Sequence, residues 1–218
     1  SLTDNTKYMN RALPVKKSFD IIERNLIIGG QNSAFYFIDG FTKDETMLKL
    51  MDSFLNISAD DMPEDATSFS TSCIPYVEVD ILGDFDSIFK NLLSGVTCLF
   101  IDGYEAAIAI DCRTYPSRSI EEPDKDKSLR GSRDGFVETI VFNTALMRRR
   151  IRDPHLIMEM YEAGTSTRTD VALCYMSDRV DRELLTTIQN KLEDKMAEEI
   201  LEGKIHRGDR VIVSVSKK

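Results

Sequence analysis

The sequence has no excess of basic residues. Its 218 residues include 28 lysines and arginines against 37 aspartates and glutamates, a formal net charge of −9. The pI is about 4.9. Because a nucleic-acid partner requires a cationic face opposite its phosphates, this balance argues against nucleic acid as the main partner. It remains compatible with local basic patches.

Residues that could ligate a metal are also scarce. Neither histidine, His155 nor His206, has a cysteine or a second histidine at ligand spacing, so no zinc site is expected. The sequence has four cysteines, Cys73, Cys98, Cys112 and Cys174, and they form no C-x-x-C pair. Three of the four lie in runs typical of buried strands. We interpret them as reduced core residues of a cytosol-facing protein, and their even number leaves a disulfide open.

Long apolar runs are missing as well. The longest, 96–101 and 106–110, have the length of strands and fall far short of the roughly 20 residues that span a bilayer. Residues 1–17 lack the apolar centre of a signal peptide. The sequence contains no phosphate-binding glycine loop and no nucleophile elbow. The chain as given is therefore expected to be soluble, with no catalytic residue, metal or cofactor.

What the sequence does contain is apolar periodicity that predicts a mixed α/β (α+β) fold of two small subdomains. In the first, residues 18–112, pairs of apolar runs flank Gly29-Gly30 and Asp102-Gly103, which predicts two β-hairpins. Two helices and a further strand are predicted at 42–57, 84–95 and 73–82.

The predicted helix 42–57 has the clearest period. Its apolar residues recur at spacings of three and four, and we expect them to be its buried face: Met47, Leu48, Met51, Phe54 and Leu55. An acidic loop, 58–68, is expected to follow and to be solvated.

A charged segment divides the two predicted subdomains. Residues 113–135 contain two prolines and no apolar periodicity, which predicts a linker. The second subdomain, 136–218, is predicted to contain a helix, two strands and another helix, at 136–152, 156–164, 169–176 and from about 181. Residues 1–17 are predicted to form an N-terminal arm or a short helix.

The segment 130–153, RGSRDGFVETIVFNTALMRRRIRD, combines glycines, a helix start and a run of arginines. The helix N-terminus could bind an anion, but the glycines match neither phosphate-binding pattern and no strand leads into them. We favour a structural interpretation, in which Ser132 or Asp134 caps the helix and Gly135 eases the turn.

The arginines are expected to act as a joint between subdomains. At about 100° per residue, Arg148, Arg149 and Arg150 point in different directions and cannot form one flat patch. Arg148 shares a face with apolar residues, so its stem should be buried and its head should reach a carboxylate. Phe142 and Leu146 lie on the opposite side, which predicts a helix wedged between layers. The candidate inter-subdomain or partner surface comprises Arg130, Arg133, Arg148, Arg149, Arg150 and Arg152.

Read whole, the stretch from Leu93 to Met176 resembles the A subunits of bacterial spore germinant receptors, the GerA family, and within that family its sporulation-stage branch. The most specific parts are LRGSRDGFVE (129–138), NTALMRRRIRDP (143–154) and TDVALCY (169–175). Similarity extends over roughly residues 15–190. By contrast, residues 188–218 look similar to the C-terminal end of Clp-type unfoldases, without a nucleotide-binding loop.

The resemblance implies a non-enzymatic, extramembrane domain of a membrane protein of the inner spore membrane. Its transmembrane region would be absent from this chain. The interpretation of the cysteines as reduced favours the side of the membrane that faces the spore core. The implied partners are other germination-complex subunits, with homo-oligomerisation in the full-length membrane protein, and the implied role is complex assembly or signal relay in an ion-release complex.

Two alternatives stay open at the level of sequence. One is a sensor that holds a small-molecule nutrient in the cleft between the subdomains. The other is a chaperone adaptor that acts through the Clp-like tail.

Overall fold

The fold is built on a five-stranded antiparallel sheet. The computed structural model describes residues 1–74, 77–114, 136–163 and 168–190. The strands lie in the order β1-β2-β4-β5-β3. Their bounds are β1 (Ile21–Ile28), β2 (Gln31–Ile38), β3 (Val79–Leu82), β4 (Thr97–Ile101) and β5 (Ala107–Ile110). Both predicted hairpins are confirmed, β1–β2 around Gly29-Gly30 and β4–β5 around Asp102-Gly103.

Helices cover both faces of this sheet. They are α1 (Leu2–Ala12), α2 (Asp44–Leu55), α3 (Ala66–Cys73) and α4 (Phe85–Leu93). Side chains alternate along a strand, so Phe35 packs with α2 and α3, whereas Ala34 and Tyr36 pack with α1 and α4. We call the sheet with α1–α4 the first unit.

A smaller second unit follows. Helix α5 (Ile140–Arg150) leads into the antiparallel hairpin of β6 (Leu156–Ala163) and β7 (Thr169–Met176), and residues 182–190 are helical. The mixed α/β class predicted from periodicity is confirmed. Ser132, Asp134, Gly135 and the Clp-like segment from 191 onward lie outside the described residues, as do Arg130 and Arg133.

Two predictions in the first unit were wrong in detail. Residues 66–73, expected as the end of a loop and the start of a strand, form α3, because the Asp65 side chain accepts the Ser68 N–H at 2.7 Å and Phe69 is fully buried. On α2 the buried residues are Leu50, Met51 and Phe54. The predicted face included Leu48 and Leu55, which are 71% and 59% exposed.

The start of the predicted linker is attached to the first unit. Arg113 forms a bridge with Thr42, and the Thr114 N–H donates to the Phe41 carbonyl at 2.7 Å. The side chain of Arg113 bonds the carboxylate of Asp111 and the hydroxyl of Ser94.

Helix α5 is shorter than predicted and is buried on one face. Its first turn starts at Ile140 because the Asn143 amide bonds both the N–H and the carbonyl of Val137, each at 2.7 Å, and holds that residue outside the helix. Phe142 is 44% exposed and Ile151, beyond the helix end, is 40% exposed. The expected burial of two faces was therefore wrong in the described part of the chain.

A buried arginine joint and the basic end of helix α5

Close packing against the first unit orients helix α5. Gly40 has a φ of +78°, and a Cβ there would lie 3.1 Å from the Cβ of Ala145 and 3.3 Å from Val141. Ala145 is fully buried among residues of the first unit. Arg148 lies three residues further along the same face. Its side chain is thereby directed to the segment that precedes β1.

The Arg148 guanidinium forms a two-pronged ion pair with Asp20. Its Nε donates to Oδ2 at 2.7 Å, and its Nη2 lies 3.2 Å from Oδ1. Both side chains are buried, at 0% and 1% exposure. This confirms the prediction that Arg148 has a buried stem and a carboxylate at its head. Paired geometry of this kind is the strongest that a guanidinium makes with a carboxylate.

The pair makes further hydrogen bonds to the residues around it. Arg148 donates to the carbonyls of Asp153 at 3.1 Å and Leu156 at 2.8 Å. The Ser18 hydroxyl donates to Asp20 at 2.5 Å and accepts the Met158 N–H at 2.9 Å. We call this cluster the arginine joint: Ser18, Asp20 and Arg148 with the backbone of residues 153–158.

The joint connects segments that are far apart in the chain. Besides the side-chain bonds, the Phe19 N–H donates to the Met158 carbonyl at 2.9 Å. Residues 18–20, α5 and the start of β6 therefore meet at one buried site. A fully desolvated pair adds little net stability, but removal of one partner leaves an uncompensated buried charge. The ion pair therefore favours one packing arrangement of α5 and β6 on residues 18–20, because other arrangements would leave a buried charge unpaired.

Three of the other predicted arginines lie in the described part of the chain, and no hydrogen bond described above links them to the arginine joint. Arg149, Arg150 and Arg152 are exposed at the C-terminal end of α5, where positive charge complements the helix dipole. The Nε of Arg152 donates to the Arg149 carbonyl at 3.3 Å. Arg149 and Arg150 each take part in other interactions within the chain. Arg148 is therefore buried in the joint, whereas Arg149, Arg150 and Arg152 form an exposed basic surface at the end of α5. We call this surface the basic helix end.

The pKa values of two groups beside the joint are shifted, each mainly for a local reason. The backbone N–H of His155, with help from its ring, lowers the pKa of Asp153. Burial, reinforced by the charge of Asp20 and opposed by that of Arg148, raises the pKa of Cys174 to about 11. Cys174 of β7 therefore lies within the electric field of the pair.

A second polar network holds the helical residues 182–190 to the hairpin. The Glu159 carboxylate accepts hydrogen bonds from the hydroxyls of Tyr161 at 2.5 Å and Tyr175 at 2.9 Å. It also accepts one from the Gln189 amide at 2.9 Å. Burial and the bond to Glu159 raise the pKa of Tyr175. Strand β6 is thus held at its start by the joint and further along by this network.

Sequence reasoning missed the partners in both clusters. Asp20 stands 128 residues from Arg148, and neither Ser18 nor Asp20 carries a local pattern that distinguishes it from a turn residue. For the second cluster one signal was available. Glu159 and Tyr161 are two residues apart in β6, and alternate residues of a strand share a face, so their side chains could be expected to lie together.

A polar cleft of about 260 Å³ lies in the first unit, beside the start of α1. Its lining includes Thr3, Thr6, Asn25, Asn32 and Asp102, and the Asp102 carboxylate accepts the Leu2 N–H at 3.0 Å. The described ranges hold no group of three or more His, Cys, Asp or Glu side chains arranged to bind a metal ion. None of their helices combines the length and apolar character that a bilayer crossing requires.

Comparison with known proteins identifies the family. Residues 7–206 match the model of the Bacillus/Clostridium GerA spore germination protein family. The chain belongs to the GerA family. The resemblance seen in the sequence is therefore confirmed, and the arginine joint and the Glu159 network both fall within the matched residues.

Two relatives are named as spore proteins. Stage V sporulation protein AF of Bacillus subtilis (strain 168) is 32% identical over 189 residues, which cover 86% of this chain and 38% of that protein. Spore germination protein KA of the same strain is 30% identical over 193 residues, 87% of this chain and 36% of that protein. The chain thus spans less than two fifths of the length of these GerA-family relatives.

A solved structure has the same fold. The N-terminal domain of the A subunit of the Bacillus megaterium spore germinant receptor GerK3 matches with a TM-score of 0.68. The match covers 94% of this chain and 75% of that one, at 21% sequence identity. The chain is a germination-related domain of the GerA family.

Proposed function

We propose that this chain is a non-enzymatic extramembrane domain of a spore germination membrane protein, and that it relays a signal within a germination complex. The arginine joint carries the proposal. It fixes the second unit on the first through a buried ion pair between residues 128 positions apart. A conformational change in one unit that displaces Asp20 or Arg148 would also move the other unit, because a desolvated ion pair tolerates little displacement.

The contacts at the far end of β6 support a relay in particular. The joint holds Leu156 and Met158, and Glu159 and Tyr161 bind Gln189. Strand β6 connects these two sets of bonds without an intervening loop. Movement at the joint would therefore reach the helical residues 182–190, from which the chain continues.

The names of the relatives support the proposed location and partners. Two relatives are named as a sporulation protein and a spore germination protein, and a further relative, YfkQ of Bacillus subtilis (strain 168), is named as a membrane protein. We place the domain at the inner spore membrane, on the core side, where free cysteines are stable. The basic helix end, Arg149, Arg150 and Arg152, would then be a surface for other subunits.

The alternative role is recognition of a small nutrient between the two units. A ligand site there requires an open cleft with convergent polar groups. The polar groups of the joint instead bind one another, and Ser18, Asp20 and Arg148 are each at most 1% exposed. This observation favours relay over recognition at that position.

The test uses the full-length protein in spores. Asp20→Asn preserves the shape of the joint and removes its negative charge, while Asp178→Asn makes the same change in an exposed pair with Arg179. Germination is followed by the fall in optical density after a nutrient is added, and the amount of protein is measured by immunoblot. We expect Asp20→Asn to slow germination severalfold, by more than any fall in the amount of protein accounts for, and Asp178→Asn to have no effect.

A second variant keeps the proposal testable if Asp20→Asn is degraded. Ser18→Ala removes one hydroxyl from the joint and leaves the ion pair in place. We expect a smaller delay in germination. Germination at the wild-type rate in a variant that is present at the wild-type amount would overturn the relay.

A further inference from the structure

The polar cleft of the first unit brings together side chains from four separate parts of the chain. It has a volume of about 260 Å³ and is lined by the start of α1, the hairpin ends of β1 and β2, and the residue that follows β4. Five of its polar side chains form a group that we call the cleft set: Thr3, Thr6, Asn25, Asn32 and Asp102.

The register of the sheet directs three members of the cleft set towards α1. Asn25 pairs with Ala34, and Asn32 stands two residues before Ala34 in β2, so all three point to the face that α1 covers. The N–H of Asp102 donates to the Asn32 carbonyl at 2.9 Å, and its carboxylate accepts the Leu2 N–H of α1 at 3.0 Å. Asn25, Asn32 and Asp102 therefore face the first turn of the helix.

Helix α1 packs on the sheet with apolar side chains at one end and polar ones at the other. Met9 and the following Leu13 are buried in the core. Thr6 lies one turn before Met9 on the same side of the helix, and Thr3 lies one turn before Thr6. Because hydroxyl groups stand here in place of larger apolar side chains, the space between the helix and the sheet remains a cleft.

Several groups of the cleft set have no hydrogen-bond partner among the residues that the structure describes. These groups are the side-chain amides of Asn25 and Asn32, the hydroxyl of Thr3 and the Oδ2 atom of Asp102, whose Oδ1 accepts the Leu2 N–H. Polar groups of this kind bind water, and a ligand with matching donors and acceptors can take the place of that water. The cleft is therefore suited to a polar ligand.

The charge of the cleft favours a cation over an anion. Among the described residues that line it, Asp102 alone is ionisable. The net charge of −9 adds to the negative potential that an approaching ligand meets. An anion would be repelled by the Asp102 carboxylate, whereas an ammonium group could donate a charge-assisted hydrogen bond to its Oδ2 atom.

We propose that the cleft binds a small hydroxylated amine. Its ammonium group donates to Oδ2 of Asp102, and its hydroxyl group bonds the amides of Asn25 and Asn32 and the hydroxyl of Thr3. The ligand is small, because the cleft volume of about 260 Å³ lies below the range of about 300–1,000 Å³ that drug-sized ligands occupy. This site lies within the first unit and uses no residue of the arginine joint, so it goes beyond the proposed relay and does not depend on it.

Ethanolamine and choline are matched probes for this site. Both carry one positive charge and a hydroxyl group, but choline has three methyl groups in place of the three N–H donors. We would titrate each into the ¹⁵N-labelled 218-residue chain and follow by NMR the side-chain amides of Asn25 and Asn32 and the backbone amide of Asp102. We expect ethanolamine to shift these signals with a dissociation constant of about 1–10 mM, as suits so small a ligand. Choline should bind at least about tenfold more weakly, because it cannot donate to Asp102.

Two variants test the residues of the site. Asp102→Asn keeps the shape of the side chain and an oxygen for the Leu2 N–H, but removes the charge, and should weaken ethanolamine binding about tenfold. Asp80→Asn makes the same change at an exposed position of the edge strand β3 and should leave binding unchanged. Thr3→Val removes an exposed hydroxyl that has no partner in the described residues, so it should weaken binding about threefold without loss of stability. It provides the test if the spectrum of Asp102→Asn shows that α1 is no longer folded.

Three results would overturn the proposal. The first is the absence of any shift at about 50 mM ethanolamine. The second is equal binding of ethanolamine and choline. The third is binding by Asp102→Asn or Thr3→Val that is as tight as binding by the unmodified chain. None of these results bears on germination of the Asp20→Asn spores, which tests the relay alone.

Discussion

Arg148 and Asp20 form a bidentate ion pair that is shielded from water on all sides. The two side chains are 0% and 1% exposed, with Nε 2.7 Å from Oδ2. We expect Arg148→Ala to lower the free energy of unfolding by about 3–5 kcal/mol, because it leaves the Asp20 carboxylate buried without a counter-charge. Arg149→Ala and Arg150→Ala, at exposed positions of the same helix, should change it by less than about 0.5 kcal/mol.

Urea unfolding measures these differences, provided that the slope m is the same for all variants. Replacement of both partners, Arg148→Met with Asp20→Leu, should cost less than Arg148→Ala, since no charge is left unpaired. Equal midpoints for the three arginine variants would contradict the burial of Arg148.

Gly40 and Gly103 provide a second comparison, because both have positive φ but only one contacts α5. Their φ angles are +78° and +88°. A Cβ on Gly40 would approach that of Ala145 at 3.1 Å, whereas one on Gly103 would have no atom of the described residues within 4 Å apart from its neighbours in the chain. Gly103→Ala should cost only the strain of the left-handed conformation, about 1–2 kcal/mol. Gly40→Ala should cost more, because it also displaces α5.

The measurement is again the free energy of unfolding, together with hydrogen exchange of the α5 amides. Faster exchange in Gly40→Ala but not in Gly103→Ala would place the extra cost at the contact with α5. Equal losses of stability, with unchanged exchange, would mean that the contact contributes nothing.

Local patterns were sufficient to predict most elements of this fold. The two hairpins, α2 and α4 have apolar runs bounded by turn residues, and these signals lie within a dozen residues. Helix α3 was missed because its sequence, ATSFSTSC, has no apolar period. Its position depends on the Asp65 cap and on the burial of Ala66 and Phe69 against the rest of the core.

Of the two partners in the ion pair, only Arg148 was predictable from the sequence. The helical face of Arg148 predicted a buried guanidinium with a carboxylate at its head. The identity of that carboxylate could not be predicted, because Asp20 lies in another part of the chain and the pairing depends on how α5 packs on Gly40. Long-range pairs of this kind are set by tertiary packing, which a single sequence does not encode in any short window.

The ion pair of Asp111 and Arg113 should contribute to the pH dependence of the free energy of unfolding. The hydrogen bond from the Arg113 side chain lowers the pKa of Asp111 in the folded protein. In the unfolded chain an aspartate titrates near pH 3.9. The stabilisation is therefore complete above about pH 3.9 and is lost as the pH falls through the lower, folded pKa, because the unfolded state then binds more protons.

Urea midpoints measured between about pH 5 and pH 2 test this for the unmodified chain, Asp111→Asn and Arg113→Gln. We expect a shallower acid-side slope in both variants, since one lacks the carboxyl group and the other lacks the cation that lowers its pKa. Three parallel profiles would show that the pair does not contribute to acid sensitivity.

The four cysteines should differ in reactivity in the folded protein. Burial raises the pKa of Cys98 to about 12 and is the main cause that raises those of Cys112 and Cys174 to about 11. Few of these thiols are ionised at pH 8, and the thiolate is the species that alkylating reagents attack. Cys73, at the C-terminal end of α3, is only partly buried, so a reagent reaches its sulfur more easily than those of the buried Cys98 and Cys112. We therefore expect iodoacetamide to modify Cys73 first, as identified by mass spectrometry of the digested chain, and Cys73→Ser to remove the fastest phase of the reaction.

In denaturing urea all four thiols should react at similar rates. Modification of Cys98 as fast as Cys73 in the folded chain would mean that β4 opens to solvent far more readily than its position in the middle of the sheet allows.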